Sequence, residues 1–122
     1  MTVVDTTILV DQLRGRRQAL DYLASLSEVP ICSEVTRVEI LTGLRSGERK
    51  AAERLFAVVD WMPVNEEIAR RAGELGRRYR RSHPGLSLAD LVVGATAMEL
   101  GRRVATLNVR HFPMFPRLQP PY

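Results

Sequence analysis

Hydrophobic and polar positions along the chain alternate in blocks that predict short strands and helices in turn. Brief apolar runs predict strands over residues 2–4, 29–32, 61–64 and 103–107, with a weaker candidate at MFPRL (114–118), where Pro116 would restrict it to a sheet edge. Helical spacing of apolar residues predicts helices over residues 16–27, 33–44, 48–59, 65–81 and 87–101. This order favours a parallel sheet of four or five short strands with helices on both faces, in a single domain over residues 1–122.

Two of the predicted helices have a definite inward side. In the helix over 33–44, Glu39 falls at the border of the core, and Ile40 and Leu44 form a second apolar face on the opposite side, which a partner would cover. The predicted inward stripe of this helix consists of Val35, Val38 and Thr42. In the helix over 65–81, the predicted buried stripe consists of Ile68, Ala72, Leu75 and Tyr79.

The composition is that of a soluble globular protein, with 45% hydrophobic and 26% charged residues among 122. The lone Cys32 excludes an internal disulfide and a thiolate zinc site, and it is expected to be a small buried residue at a strand end. The sequence shows no secretory signal and no apolar stretch long enough to span a bilayer, so we expect a cytoplasmic protein without a membrane partner.

The charge is basic, and it is carried almost entirely by arginine. The net charge is +4, and of the 18 basic residues only Lys50 is a lysine. The planar guanidinium group matches phosphate oxygens in pairs, so this surface suits an anionic polymer. A genome whose codons favour arginine is the alternative explanation.

Acidic residues follow or flank several predicted elements. Asp5 comes directly after the first strand, and Asn108 follows the strand over 103–107 with His111 shortly beyond it, so these residues lie at the carboxyl edge of the sheet, where ligands of parallel sheets bind. Glu39 borders the core, and Asp90 lies on a nearly all-apolar helix that is expected to be buried. The sequence therefore offers three acids on separate elements, each beside apolar neighbours.

Three neighbouring carboxylates would be mutually destabilising without a cation, because like charges and desolvation both oppose ionisation. Mg²⁺ prefers oxygen ligands, takes one or two carboxylates directly and makes its bound water more acidic. Such a site can bind a phosphate oxygen, supply a hydroxide and neutralise the leaving oxygen, as phosphodiester hydrolysis requires. The acids thus predict a metal-dependent hydrolase of phosphodiester bonds.

Each candidate also has a purely structural explanation. Ser87 and Asp90 have the spacing of a capping box, and Asp5 suits a turn or a helix N-cap. Glu39 suits a half-exposed residue paired with Arg37 or Arg45, and Asn108 suits a turn. The joint placement of the acids, more than any one of them, favours a site.

Four segments, VVDTTILVD, SEVTRVEILTGLRSG, LSLADLVVGATAMELG and VATLNVRHFP, resemble the PIN domain, and more closely the VapC-type toxins of bacterial toxin–antitoxin pairs. The resemblance covers essentially the whole chain. It implies a three-layer α/β/α sandwich and an endoribonuclease that depends on Mg²⁺, with Mn²⁺ as a substitute. It also implies three partners: RNA as substrate, a small VapB-like antitoxin whose helix lies in a groove and whose tail enters the acidic site, and a second copy in a homodimer.

The resemblance assigns roles to individual residues. Asp5 would be the first acid and a direct metal ligand, Glu39 the second acid, binding directly or through water, and Asp90 the third acid, ligating the metal or orienting its water. The hydroxyl of Thr6 or Thr7 would support the metal. Relatives with a fourth acid carry it in the segment that matches NVRHF, where this chain has Asn108 and His111, so a second tightly bound metal is in doubt.

RNA contacts are predicted on the helix over 65–81, whose arginines spread around the surface away from the buried stripe. Arg77, Arg78 and Arg81 are the candidates there, with His111 as a further one, and the alternatives are a solvated face and a structural histidine. His83 is expected to be a surface residue.

Two rival functions remain open. A non-catalytic PIN-like module that binds RNA or protein would keep the fold and use its acids as caps. A metal-dependent phosphatase of the haloacid dehalogenase type needs a second Asp two residues after the first, where this chain has Thr7. Metal dependence and substrate choice separate these alternatives.

Overall fold

A four-stranded parallel sheet forms the centre of the protein in a computed structural model that describes residues 2–122. The strands lie side by side in the order β3-β2-β1-β4, so the first strand of the chain is internal and pairs with the last. Their bounds are β1 (Thr2–Val4), β2 (Ile31–Ser33), β3 (Asp60–Met62) and β4 (Arg103–Ala105).

Helices connect the strands and cover both faces of the sheet, and a short 3-10 turn (Val109–His111) follows β4. The helices are α1 (Thr6–Leu13), α2 (Arg17–Ser25), α3 (Glu34–Thr42), α4 (Arg49–Phe56), α5 (Glu66–Tyr79) and α6 (Leu88–Leu100). Within residues 2–122, none of them combines the length and the apolar character that crossing a membrane requires.

The three layers follow from the alternation of side chains along each strand. Val4 and Cys32 belong to a core cluster formed with α1, α2 and α4 on one face of the sheet. Val3 directly precedes Val4 in β1, and Val104 directly precedes Ala105 in β4. Both valines therefore point to the other face of the sheet, where they pack against α6. Helix α5 packs on α6 through the predicted stripe, of which Ile68 is fully buried. The predicted α/β/α sandwich and the predicted burial of Cys32 are confirmed.

Helix α6 is the most deeply buried helix, and every residue from Leu91 to Ala97 is buried. Gly94 permits this packing, because a Cβ atom there would lie 3.1 Å from the sulfur of Met114. The C-terminal segment closes over α6 at this point, and Phe112 is fully buried beside it.

The predicted helices and the four main strands are confirmed, with bounds that differ from the prediction by at most three residues, whereas two other elements were predicted wrongly. The sequence pattern gave no helix over Thr6–Leu13, where the structure has α1, because β-branched residues are poor helix formers and resemble a strand. The segment 114–118 forms turns and no strand, so the sheet has four strands within residues 2–122.

The inward side of α3 also differs from the prediction. Thr36 is fully buried and Ile40 is 2% exposed, whereas Val38 is 60% exposed. The proposed second apolar face is therefore wrong, because Ile40 belongs to the core and no partner can cover it. A hydrogen bond explains the difference. The hydroxyl oxygens of Thr36 and Thr6 lie 3.1 Å apart, so the polar group of Thr36 has a partner in the interior. Thr36 can therefore occupy the buried position that the prediction gave to Val38.

Candidate active site

A pocket of about 370 Å³ opens at the carboxyl edge of the sheet, where β1 and β4 end and α1 begins. It is lined by Asp5, Thr6, Thr7, Val10, Asp11, Glu39, Asp90, Leu107 and Asn108. The structure thus brings together all three predicted acids and the three predicted supporting residues.

Asp5 lies at the base of this pocket and is only 4% exposed. Its backbone extends the sheet, because its N–H donates to the carbonyl of Ala105 on β4 (2.9 Å). Asp5 occupies the N-cap position of α1, yet its side chain makes no capping hydrogen bond. Instead, Oδ2 accepts hydrogen bonds from the hydroxyls of Thr106 (2.8 Å) and Thr7 (3.2 Å). The carboxylate is therefore fixed by the site and does not serve as a helix cap.

The surroundings of Asp5 make its ionised form costly. Burial raises the pKa of the carboxyl above its ordinary value, and the negative charge of Asp90 raises it further. Hydrogen bonds from Thr106, the backbone of Thr6 and the hydroxyl of Thr7 lower the pKa, but they do not offset the burial. A cation beside this carboxylate would lower its pKa again and stabilise the ionised form.

Glu39 reaches the pocket from α3 and is held by Thr6, whose hydroxyl donates to Oε1 at 2.5 Å. Partial desolvation raises the pKa of this carboxyl, and the charges of Asp5 and Asp90 add to the effect, while the hydrogen bond from Thr6 opposes it. The alternative pairing with Arg37 is not observed, because Arg37 binds Glu34 at 2.6 Å. Thr6 therefore connects the second acid to the first turn of α1.

Asp90 is part of a capping box and also lines the acidic pocket. The capping box is present: the hydroxyl of Ser87 accepts from the N–H of Asp90 (3.1 Å), and Oδ2 of Asp90 accepts from the N–H of Ser87 (2.9 Å). The same Oδ2 lies 3.1 Å from Nδ1 of His111. Since Asp90 also lines the acidic pocket, a helix cap and a place in the site are compatible.

The chemistry of the pocket suits a hard divalent cation. Its lining offers carboxylate, hydroxyl and amide oxygens and contains no Arg or Lys. Over residues 2–122, no three side chains of His, Cys, Asp or Glu stand close enough to enclose an ion by themselves. Mg²⁺ usually takes one or two carboxylates and completes its shell with water, so the pocket fits an ion bound partly through water.

Three residues near the site were missed by the sequence reasoning. Thr106 is fully buried and donates to Asp5, and Thr36 contacts Thr6 beneath Glu39. Asp11 lines the pocket, but its Oδ2 accepts from the hydroxyl of Tyr122 (2.8 Å). Thr106 could have been identified from its position. It directly follows β4, just as Asp5 directly follows the neighbouring strand β1.

The residues predicted to contact RNA are not in the acidic pocket. Arg77 lines a separate, mostly apolar hollow between α5 and α6, and the guanidinium of Arg78 lies 5.3 Å from the ring of its neighbour Tyr79. His111 contacts the Asp90 carboxylate and does not line the pocket. Contact of these residues and of Arg81 with RNA stays a prediction.

The chain matches known proteins over its full length. Residues 2–117 match the family model of the PIN domain. The chain is 49% identical to ribonuclease VapC19 of Mycobacterium tuberculosis, with all of both chains covered. It is 44% identical to ribonuclease VapC10 of the same species, covering all of this chain and 93% of that one.

Solved structures agree with these matches. A toxin–antitoxin complex from Klebsiella pneumoniae contains a chain that superposes with a TM-score of 0.82 at 26% identity, covering 100% of this chain and 98% of that one. The matched region includes the acids at positions 5, 39 and 90. The chain therefore belongs to the PIN-domain family and, within that family, to the group of the VapC ribonucleases.

Proposed function

We propose that this protein is an endoribonuclease that depends on a divalent metal ion and is the toxin of a toxin–antitoxin pair. The observation that carries the proposal is the meeting of Asp5, Glu39 and Asp90 in one pocket whose lining contains no Arg or Lys. The pKa values of Asp5 and Glu39 are raised partly by the other acids, which is the electrostatic signature of a site prepared for a cation.

The residues of this chain have distinct parts in the proposed reaction. Mg²⁺ or Mn²⁺, when bound, supplies an acidic water and charge neutralisation at the phosphate. Asp5 and Asp90 would hold the ion, and Glu39 would bind it directly or through water. The hydroxyls of Thr7 and Thr106 keep Oδ2 of Asp5 in place, and Thr6 orients Glu39. Asn108 faces the same space with a neutral amide that orients water without adding negative charge.

The substrate and the partner are inferred from the relatives. Both curated relatives are named ribonucleases, and the chain superposes on a component of a toxin–antitoxin complex. RNA is accordingly the proposed substrate, and a small antitoxin the proposed partner, with a basic residue of its tail entering the acidic pocket. We place this activity in the cytoplasm, in one domain over residues 1–122, and expect the protein to form a homodimer.

The direct test is cleavage of structured and unstructured RNA by purified protein in Mg²⁺, Mn²⁺ or EDTA. We expect cleavage that needs the metal and is lost in D5N and D90N, because each substitution removes one negative charge from the pocket while keeping the side chain's shape. E34Q is the matched control, since Glu34 pairs with Arg37 and does not line the pocket.

Three results would contradict the proposal. Cleavage that survives both D5N and D90N would indicate another site or a contaminant. Absence of cleavage, together with no shift of the melting temperature by Mg²⁺ or Mn²⁺, would favour a non-catalytic binding module. Phosphate release from small monoesters without RNA cleavage would favour a phosphatase.

A further inference from the structure

A second hollow, of about 410 Å³, lies beside the acidic pocket and has the opposite charge. Arg110, Arg117 and His83 are in its lining, together with Phe115, Pro113 and Pro116. We call it the basic hollow. Its lining contains no acidic residue, whereas the acidic pocket has four.

One short segment of chain separates the two spaces. Asn108 lines the acidic pocket, and the next two residues, Val109 and Arg110, line the basic hollow. The 3-10 turn over 109–111 is closed by a hydrogen bond from the N–H of His111 to the carbonyl of Asn108 (2.9 Å). The turn leads directly into Phe112, which is fully buried. A polymer bound in the acidic pocket that continues past Asn108 would therefore reach the basic hollow.

The two arginines of the hollow are available for a ligand. Arg110 and Arg117 are exposed, and neither forms an ion pair or a side-chain hydrogen bond with any other residue of the described chain. Six of the other arginines form ion pairs with acids, for example Arg37 with Glu34 and Arg70 with Glu66. The hollow thus presents two unpaired guanidinium groups, which bind phosphate oxygens well.

The backbone at Arg117 has a conformation that ordinarily favours glycine. Arg117 has a φ of 66°, the left-handed conformation, and it is the only residue other than glycine with a positive φ in the described part of the chain. A Cβ atom is sterically disfavoured in this conformation, which glycine adopts freely. The turn itself therefore does not require the Arg117 side chain, which leaves the guanidinium group free for another role.

The remaining lining suits a nucleobase. Phe115 and Pro113 are half-buried and offer apolar surface beside the guanidinium groups. Flat apolar and aromatic surface next to arginine is the combination on which bases of single-stranded nucleic acids stack. A small inorganic anion would use the charge but not this surface.

We propose that the basic hollow is a subsite for single-stranded RNA, which holds a nucleotide adjacent to the phosphodiester bond in the acidic pocket. Arg110 and Arg117 bind the phosphate, and Phe115 packs against the base. The proposal rests on the proposed nuclease function, and it places the RNA route on the C-terminal side of Asn108, whereas the sequence pattern had placed it along α5.

The test measures binding of a fluorescein-labelled single-stranded RNA by anisotropy, in EDTA so that no cleavage occurs. We expect R110A and R117G each to weaken binding by roughly five- to tenfold and to reduce the slope of log K against log salt concentration by about 0.7 per lost phosphate contact. R110K should retain most of the salt dependence. R117G should melt no lower than the wild type, because glycine relieves the left-handed conformation.

R49A is the matched control, because Arg49 begins α4 on the other face of the sheet and lines neither space. A folded R110A/R117G variant that binds RNA as R49A does would overturn the subsite. Metal-dependent cleavage by the wild type separates this failure from failure of the nuclease itself. With cleavage intact, we expect the double variant to process a dinucleotide normally but to lose its preference for longer RNA, and unchanged preference would also refute the subsite.

Discussion

Nδ1 of His111 lies 3.1 Å from Oδ2 of Asp90, and His111 itself does not line the acidic pocket. The N–H of Ser87 donates to the same oxygen. A carboxylate at this distance would repel Asp90, whereas an imidazole N–H attracts it, so His111 is suited to hold the third acid in position.

We expect H111A to weaken Mn²⁺ binding, measured by isothermal titration calorimetry, by roughly tenfold, as is common when a residue that orients a metal ligand is lost. H111N should restore much of the affinity, because its amide N–H can take the place of Nδ1. Equal affinities of the wild type and H111A would show that the capping box alone positions Asp90.

Thr106 is a buried support of Asp5, and we expect T106V to lower the free energy of unfolding by about 1–3 kcal/mol. The substitution removes the hydroxyl that donates to Asp5 and accepts from the N–H of Asn108 (3.0 Å). T106S keeps the hydroxyl, so its free energy of unfolding should fall much less than that of T106V. Urea denaturation of both variants measures the difference, and a T106V as stable as T106S would contradict the importance of these hydrogen bonds.

The raised pKa of Asp5 makes a prediction for the metal-free protein. Because the folded state favours protonated Asp5, ionisation of Asp5 lowers stability as pH rises from the ordinary value of 3.8 through the folded pKa. D5N should therefore be more stable than the wild type at pH 7 in EDTA, and this advantage should disappear as pH falls through the folded pKa of Asp5. Melting temperatures across this range test it.

E34Q provides a control of opposite sign. The hydrogen bond with Arg37 lowers the pKa of Glu34, so its stabilisation is present above the ordinary pKa of 4.5 and is lost as pH falls through the folded pKa. E34Q should accordingly be the less stable protein at pH 7. If D5N is also less stable than the wild type at pH 7, the hydrogen bonds that the Asp5 carboxylate accepts stabilise the fold by more than its buried charge destabilises it.

The orientation of α3 can be tested by two truncations. I40A should destabilise the protein by about 2–4 kcal/mol, because Ile40 is buried in the core and its loss leaves a cavity. V38A should change the free energy of unfolding by less than about 0.5 kcal/mol, because Val38 is exposed. The orientation predicted from the sequence requires the reverse order, so one pair of denaturation curves decides between them.

Much of the fold could be predicted because short apolar strands and amphipathic helices such as α5 have clear periodic patterns. The placement of Asp5 at the sheet edge followed from the same logic, since a residue after a parallel strand has little choice of position. Asp90 was placed with the other acids by its position on a nearly all-apolar helix, although its capping spacing alone explains it equally well, so its place in the site depended on the joint pattern of the three acids.

The errors arise where tertiary contacts override local pattern. The hydrophobic scale favours Val38 over Thr36 for the interior, but Thr36 is buried through its bond to Thr6, which lies 30 residues earlier. Helix α1 forms from β-branched residues because its Ile8 and Leu9 are fully buried against the sheet. Thr106 carries no chemical signal of its own, and only its contact with Asp5 reveals its part.

The hydrogen bond between Thr106 and Asp5 joins residues that are 101 positions apart. Because β1 is synthesised before β4, its neighbour in the sheet, β1 has no partner on that side until about a hundred further residues have been added. The acidic pocket cannot be completed before then. A nascent chain that has not yet been extended through Thr106 therefore lacks the hydroxyl that holds Asp5, and the site that the proposed cleavage needs forms late in synthesis.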